Sequence, residues 1–235
     1  MWALIGDDLR DLLGERIPGD HARQALADDY ITRFAPASVV DLGCGSGDSV
    51  DGFRAANPHV HWLGLDVESS PEVAARTRAD AEFRTFDGTR IPLDDGSVEL
   101  VFCKQVLEHV REPARLLAEV ARVLRAGGFL AGSTSHLEPF HSLSTWNYTP
   151  YGLSLLLEGA GLEVAELRPG IDALTLIANR GMGMPRFTNR WWSRESPLNR
   201  AIDGFVRARR LDARQANAIK LLFCGQFCFL ARRPD

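Results

Sequence analysis

The chain has 235 residues, 45% of them hydrophobic and 25% charged, with a formal net charge of −4. This length can bury the core of one large α/β domain, and no apolar run in it is long enough to span a membrane. Acidic residues occur within its first ten positions, unlike in a secretory signal, and its four cysteines form no CxxC pair. We therefore expect a cytoplasmic protein with reduced thiols. The negative charge argues against a dedicated nucleic-acid-binding function.

Short apolar runs alternate with helical patterns from about residue 38 to residue 168. The runs predict strands at residues 39–42, 62–65, 82–86, 98–103, 129–133 and 162–167, and the helical patterns cover residues 49–57, 70–80, 112–125 and 149–161. Gly127 and Gly128 are expected to end the third of these helices. The alternation of helices with apolar strands is typical of a parallel sheet covered on both faces.

The alternation stops after Arg168. Ser196 and Pro197 predict the start of a helix whose apolar side carries Leu198, Ile202, Phe205 and Val206, and an apolar run over residues 221–231 predicts a final strand. We expect a single domain. Its predicted parts are an N-terminal helical segment at 1–35, a core at 36–168 and 219–235, and an inserted lid or substrate segment at 169–218.

A glycine-rich turn follows the first predicted strand, and acidic residues end the first three strands. The turn reads Asp41-Leu42-Gly43-Cys44-Gly45-Ser46-Gly47. Glycines let the backbone approach a ligand closely, and the helix that follows favours an anionic group at its N-terminus. Asp66 can hold the two hydroxyls of a ribose, and Asp87 can accept a hydrogen bond from an adenine amino group.

Two cofactor classes fit part of this pattern. Nicotinamide-binding proteins space their glycines as G-x-G-x-x-G, whereas here the third glycine comes one residue early. Nicotinamide cofactors also give no role to Asp41, while an ammonium group would pair with it. S-adenosylmethionine carries an ammonium, a carboxylate, a ribose and an adenine, so the pattern favours this cofactor. The alternative is a purely structural glycine turn, with the three acidic residues at the strand ends by chance. Three acids at three successive strand ends make this alternative the weaker one.

These motifs resemble those of class I S-adenosylmethionine-dependent methyltransferases. The resemblance rests on residues 39–49, 64–66, 86–88 and 91–101, and residues 107–110 with 125–128 resemble the subgroup of ubiquinone and menaquinone methyltransferases. It implies a Rossmann-like α/β fold with helices on both faces. The implied seven-stranded sheet has the order 3-2-1-4-5-7-6, with an antiparallel strand seven at 222–232.

The resemblance also implies which residues hold the cofactor. Asp41, Gly43 and Gly45 are expected at the methionine part, Asp66 at the ribose, and Asp87 and Gly88 at the adenine. Lys104 and Gln105 are expected beside the cofactor, and Cys44 and Val67 are further expected cofactor-binding residues. No grouping of histidine, cysteine and acid suggests a metal, so none is predicted.

A hydroxyl acceptor must lose a proton on methylation, so a base is expected near it. His136 follows the fifth predicted strand at the edge where such sheets bind ligands, and a loop histidine bonded to backbone is an equally good interpretation. His141 and Tyr148 are further candidates in the same loop. His109 belongs to a pair of residues that the family shares, and we expect a structural role for it.

An arginine-rich stretch after Arg168 bears on the class of acceptor. Residues 180–214 hold nine arginines against three acids, which suits a solvated face or a lid over an anionic acceptor. We expect O-methylation of a sugar-containing or phosphorylated small molecule in glycan or natural-product biosynthesis. The alternatives are a quinone or lipid-linked acceptor at a membrane surface, and a non-catalytic cofactor-binding protein. We expect a monomer or homodimer that makes no stable membrane contact.

Overall fold

The fold is built on one twisted sheet of seven strands. The computed structural model describes residues 14–20, 23–138 and 142–235. The strand order is β3-β2-β1-β4-β5-β7-β6. Strands β1 to β5 pair in parallel, and β7 runs antiparallel between β5 and β6. The predicted strand order and the antiparallel seventh strand are confirmed.

The strands alternate with helices through most of the described chain. The strands are β1 Ser38–Leu42, β2 His61–Asp66, β3 Glu82–Thr85, β4 Val98–Lys104, β5 Leu124–Ser135, β6 Glu163–Pro169 and β7 Gln226–Arg232. The helices are α1 Asp29–Phe34, α2 Val50–Ala56, α3 Pro71–Ala74, α4 Pro113–Val123, α5 Pro150–Gly159, α6 Ala173–Gly181, α7 Pro197–Arg209 and α8 Ala213–Phe223. Within these described residues, no helix is both long and apolar enough to cross a membrane.

Apolar residues on both faces of the sheet bury it between helix layers. Helix α4 presents a fully buried stripe of Leu116, Leu117, Val120 and Val123 to one face, as the helical spacing of its apolar residues predicts. The opposite face packs on α1 and α2, where Phe53 meets Phe102 of β4 edge to face with ring centres 5.5 Å apart. The sheet is therefore rigid where its strands end at the glycine turn.

Two predicted helix boundaries are wrong. The helix expected over 70–80 ends at Ala74, because the chain turns there to bring Arg76 onto the carbonyl of Gly45. The glycines expected to end α4 lie inside β5, which begins directly after the helix. A Cβ on Gly128 would come within 2.9 Å of the Arg125 carbonyl oxygen, so this glycine lets β5 pass the irregular start of its pairing with β4.

The segment 169–218 is more helical than the sequence suggested. Helix α6 was not predicted, and residues 221–223, expected in the last strand, belong to α8. The capping box of Asp212 and Gln215 fixes the start of α8 at Ala213. Helix α7 buries Ile202 and Val206 as predicted, but Phe205 is 47% exposed.

Buried polar contacts tie this segment to the chain before α1. The side chain of Gln24 donates to the carbonyl of Trp191 at 2.8 Å, and its backbone N–H donates to Glu195 at 2.6 Å. Glu195 also pairs with Lys220 of α8, which is fully buried. Asn199 donates to the carbonyl of Gly170 at 3.0 Å. The two segments thus form one wall beside the carboxyl ends of β4 and β5 and the amino end of the antiparallel β7.

Candidate active site

The glycine turn after β1 brings backbone into close contact with its surroundings. Gly43 has φ of +69°, and a Cβ there would come within 2.4 Å of the Val106 side chain. Its N–H and that of Cys44 donate to the carbonyl of Leu65 at 2.8 and 3.2 Å. Glycine is therefore required at this position both by conformation and by space, and the turn is fixed to the end of β2.

Asp41 is a buried carboxylate at the base of this turn. Ser49 donates to its carboxylate at 2.5 Å, and the indole N–H of Trp62 donates to the Ser49 hydroxyl at 3.0 Å. Burial raises the pKa of Asp41 to about 7, against the opposing effects of the Ser49 hydrogen bond and the Lys104 charge. A ligand ammonium group would stabilise the ionised form. Ser49 and Trp62 were missed in the sequence because their contacts form only on folding.

Asp66 links the end of β2 to the glycine turn. Its carboxylate accepts from the N–H groups of Gly45 at 2.7 Å and Val67 at 2.8 Å. Arg76 holds the same turn from the other side by donating to the Gly45 carbonyl at 2.9 and 2.7 Å, while its guanidinium lies 3.9 Å from the centre of the Phe83 ring. Arg76 was also missed, since no local motif marks it.

Asp87 lies just beyond β3 in a tight turn. One of its carboxylate oxygens accepts from the Thr89 N–H and hydroxyl and from the Arg90 N–H, at 2.7 to 2.9 Å. These hydrogen bonds lower the pKa of Asp87 below its ordinary value, so it stays an acceptor at neutral pH. Gly88 follows with φ of +83°, next to Val67, which is 38% exposed.

A cavity of about 580 Å³ opens over the glycine turn. Six of the ten residues expected at the cofactor line it, namely Asp41, Gly43, Cys44, Gly45, Lys104 and Gln105. The other four, Asp66, Val67, Asp87 and Gly88, lie at the ends of β2 and β3 and not in this lining. The buried carboxylate of Asp41 suits an ammonium group, and the glycine backbone lets a ligand approach closely. The carboxylates of Asp66 and Asp87, after β2 and β3, suit hydroxyl or amino donors. These residues fit S-adenosylmethionine.

A second cavity of about 390 Å³ adjoins the first at the ends of β4, β5 and β7. Its lining includes Ala25, Ile171, Trp192, Ser193, Phe227 and Cys228, with the polar side chains of Gln105, Ser133 and Gln226. Three residues line both cavities: Asp28, Lys104 and Gln105. We call these three the shared wall.

Gln105 stands in a backbone conformation that is rare for its residue type, with φ of +56°. In the amide orientation that suits its neighbours, it donates to Glu108 and accepts from the Ser133 hydroxyl, both at 3.0 Å. Gln226 donates to the buried Glu138 at 2.7 Å. Two buried carboxylates thus hold the amides of Gln105 and Gln226 at the second cavity.

Two of the candidate bases, His136 and Tyr148, are not in the lining of either cavity. The Nδ1 of His136 lies 2.9 Å from the Tyr148 carbonyl oxygen, and burial lowers the pKa of His136. The Tyr148 hydroxyl donates to the Leu107 carbonyl at 3.0 Å, and burial raises its pKa. Neither side chain lines either cavity. His141 lies outside the described residues. A base role for these residues stays a prediction without geometric support.

Comparison with known proteins identifies the domain. Residues 40–132 match the family model of a methyltransferase domain. The chain is 38% identical over 98 residues to an uncharacterised 37.1 kDa protein in transposon TN4556 of Streptomyces fradiae, covering 40% of this chain and 28% of that protein. It is 33% identical over 146 residues to a Mycolicibacterium smegmatis protein named as a probable S-adenosylmethionine-dependent methyltransferase, covering 57% and 55%. The chain therefore spans about half or less of these two relatives.

A third relative is matched over more of its length. The ubiquinone biosynthesis O-methyltransferase of Albidiferax ferrireducens is 28% identical over 199 residues, which cover 77% of this chain and 78% of that protein. Residues 40–132 thus match a methyltransferase domain, and relatives named as S-adenosylmethionine-dependent methyltransferases or O-methyltransferases align over longer stretches. The predicted resemblance is confirmed, and the matches agree with the predicted cofactor and enzyme class.

Solved structures agree on the fold. An S-adenosylmethionine-dependent methyltransferase from Mesorhizobium loti matches with a TM-score of 0.54 at 19% identity, over 89% of this chain and 99% of that one. A Haloferax volcanii chain solved with the Trm112 methyltransferase activator matches with a TM-score of 0.56 at 21% identity, over 99% of this chain and 97% of that one. The [4+2]-cyclase SpnF matches with a TM-score of 0.56 at 18% identity, over 100% of this chain and 94% of that one. Because the last is named a cyclase, the fold alone does not define the reaction.

Proposed function

We propose that the protein transfers the methyl group of S-adenosylmethionine to a hydroxyl oxygen of an uncharged small molecule, which binds in the second cavity. The observation that carries this proposal is the junction of the two cavities at the shared wall. A methyl donor above the glycine turn and an acceptor beside Ser133 would meet there. Methyl transfer is accelerated mainly by holding the two reactants at attacking distance.

The lining of the second cavity supports an uncharged acceptor. Among the described residues that line it, the charged side chains are Asp28 and Lys104, which pair with each other, and no arginine is present. The arginine-rich stretch 180–214 directs several of its side chains elsewhere: Arg190 lies over the Trp191 ring, and Arg209 over the Phe205 ring. A phosphorylated acceptor therefore has no support from this lining, whereas the amides and an aromatic ring suit a sugar or phenol.

Each part of the site would have one task. S-adenosylmethionine supplies an electrophilic methyl group when bound. Asp41 would hold its ammonium, the glycine turn its carboxylate, Asp66 with Val67 its ribose, and Asp87 with Gly88 its adenine. Gln105, Ser133 and Gln226 would orient the acceptor hydroxyl towards the shared wall. Trp192 and Ser193 come from segment 169–218, which supports the proposed lid or substrate role of that segment.

A methylation screen tests this function. The purified protein is incubated with S-adenosylmethionine and a panel of uncharged sugars, sugar phosphates and phenols, and products are identified by mass. We expect a methylated product from an uncharged hydroxyl compound and little from its phosphorylated counterpart. A protein that binds S-adenosylhomocysteine but methylates no member would support the non-catalytic alternative. Preferred methylation of the phosphorylated member would contradict the uncharged acceptor.

A second candidate is a quinone-derived acceptor at a membrane surface. The names of two relatives favour it, because the proteins of Albidiferax ferrireducens and Acinetobacter baumannii are called ubiquinone biosynthesis O-methyltransferases. Large apolar side chains on and after α6 are also exposed, including Ile177 at 50% and Phe187 at 59%. Co-sedimentation with anionic vesicles that is lost in the double variant Ile177→Ser and Phe187→Ser would favour this candidate. Equal sedimentation of both proteins, or none, would count against it.

A further inference from the structure

The shared wall contains an ion pair. Lys104, the last residue of β4, donates from Nζ to both carboxylate oxygens of Asp28, at 2.9 and 2.8 Å. Both side chains are about half exposed, at 48% and 51%, although they lie against two cavities. The pair is therefore accessible from the cavities, and a ligand at their junction would contact it directly.

The Asp28 side chain does not cap the helix that it precedes. It occupies the N-cap position of α1, where an aspartate commonly accepts a hydrogen bond from the first turn of the helix. Here its side chain makes no capping hydrogen bond. Its carboxylate is directed to Lys104 at the cavity junction instead. The helix start thus delivers a carboxylate to the place where the two reactants would meet.

We propose that Asp28 is the base that removes the proton from the acceptor hydroxyl, and that Lys104 positions the Asp28 carboxylate at the junction. This inference rests on the proposed function. The third member of the shared wall, Gln105, cannot accept the proton, because an amide is not a base at neutral pH. Lys104 would first have to lose its own proton, whereas the Asp28 carboxylate has lone pairs that can accept one.

The reaction step balances at this position. As the acceptor oxygen forms its bond to the methyl carbon, the carbon–sulfur bond of the donor breaks and its electron pair stays on sulfur. The hydroxyl proton passes to a carboxylate oxygen of Asp28, which later releases it to solvent through the open cavity. The products are a methyl ether and S-adenosylhomocysteine, and no other co-reactant is needed.

The pair also affects the charge of the donor pocket. The charges of Lys104 and Asp28 act on Asp41 in opposite directions, the former lowering and the latter raising its pKa. Both therefore lie within electrostatic range of the group proposed to hold the methionine part. A sulfonium at the junction would consequently be sensitive to the loss of either charge.

Calorimetry of two ligands tests the placement without any acceptor. S-adenosylmethionine carries a sulfonium charge that S-adenosylhomocysteine lacks, so the ratio of their dissociation constants reports the local charge. We expect Asp28→Asn to weaken S-adenosylmethionine relative to S-adenosylhomocysteine by about fivefold, and Lys104→Met to shift the ratio about fivefold the other way. Asp95→Asn is the matched control, because Asp95 is paired with Arg122 and lines neither cavity. Unchanged ratios in both shared-wall variants would overturn the placement.

Turnover with a hydroxyl acceptor from the screen tests the base. Asp28→Asn keeps a hydrogen bond acceptor for Lys104 but cannot take a proton, so we expect kcat to fall about a hundredfold with little change in KM. Asp28→Glu should recover part of the rate that Asp28→Asn loses. A kcat close to wild type in Asp28→Asn would overturn the base.

The two ideas fail in different ways. If the wild type binds both cofactor forms but methylates nothing, the proposed function fails and the base role falls with it. If the wild type methylates an acceptor while the ligand ratios stay unchanged, only the assignment of the pair fails. A structural latch between α1 and β4 would lower the affinity for both ligands together and leave their ratio unchanged, which would also overturn the assignment.

Discussion

Asp41, which we propose to hold the ammonium group of the cofactor, shows how a buried carboxylate can lower the stability of the fold. Its carboxylate is buried with Ser49 as a hydrogen bond donor, and burial raises its pKa from 3.8 to about 7. In the unfolded chain Asp41 loses its proton near its ordinary pKa of 3.8, whereas in the folded chain it keeps the proton up to about pH 7. Ionisation of Asp41 therefore destabilises the ligand-free fold as pH rises through this window. A bound ammonium group would offset that cost.

Replacing Asp41 by Asn should separate stability from binding. At pH 8 we expect Asp41→Asn to raise the free energy of unfolding of the ligand-free protein by about 2–4 kcal/mol, because no charge is buried. The gain should shrink as pH falls towards 4, while affinity for S-adenosylhomocysteine drops at pH 8. Urea unfolding at several pH values and calorimetry measure both. A variant that is less stable than wild type at pH 8 would contradict the burial argument.

His136 and Asp28 offer a direct comparison of candidate bases. Because His136 faces the Tyr148 carbonyl and lines neither cavity, we expect His136→Ala to lower kcat less than about tenfold, far less than Asp28→Asn. Steady-state kinetics of both variants with the same acceptor provide the measurement. A hundredfold loss in His136→Ala with unaltered cofactor affinity would return the base role to the histidine.

The residues that sequence analysis found and those it missed differ in a physical way. Asp41, Gly43 and Gly45 stand in one short motif whose chemistry is local. Arg76 and Asp28 act through partners far along the chain, the Gly45 carbonyl and Lys104. No local spacing marks such contacts, because they depend on how the sheet edge assembles. The signal available for Asp28 was a helix-capping residue type, which indicates a helix start rather than a site.

At the level of elements, α7 and α8 hold the inserted segment through a buried cation. Lys220 is fully buried and pairs with Glu195 and, at 2.9 Å, with Asp203. Glu195 in turn accepts from the Gln24 N–H at 2.6 Å, beside the wall of the second cavity. The integrity of this wall depends on a charge that has no access to solvent.

Removing that cation should be costly. We expect Lys220→Met to lower the free energy of unfolding by about 3–5 kcal/mol, because it leaves two carboxylates without their buried partner. The triple variant with Glu195→Gln and Asp203→Asn should recover part of this loss. Arg115→Met is the control, since Arg115 forms an exposed pair with Glu112 within one helix turn. Urea unfolding that shows equal, small losses for Lys220→Met and Arg115→Met would contradict this role.

Elements with strong local signals were predicted well, and those shaped by distant contacts were not. Helix α5 begins at Pro150 with Thr149 as its N-cap, as expected. Helix α3 is short because Arg76 turns towards the glycine turn, and β5 starts early because two glycines tolerate an irregular strand. The last three residues of α8, 221–223, were predicted as strand because they are apolar and lie just before β7. Periodicity cannot separate such adjoining elements.

For the whole molecule, the alternation of strands and helices indicated a parallel sheet, and the family resemblance supplied its order and antiparallel strand. Neither could locate the second cavity, which we propose to hold the acceptor, since its lining joins Ala25, Ser133, Trp192 and Phe227 from four distant parts of the chain. The residues expected at the cofactor thus stand in local sequence motifs, whereas the lining of the second cavity is brought together only by tertiary structure. This explains why the cofactor was predicted and the arginine lid lacks support from the cavity lining.

Calorimetric titration with S-adenosylhomocysteine tests the central claim most directly, because it needs no acceptor. We expect a dissociation constant in the micromolar range or tighter, about −8 kcal/mol. Asp66→Ala should weaken binding by about 1–3 kcal/mol, because the ribose hydroxyls lose their acceptor and the Gly45 N–H loses its anchor. Tight binding of a nicotinamide cofactor with none of S-adenosylhomocysteine would contradict the account.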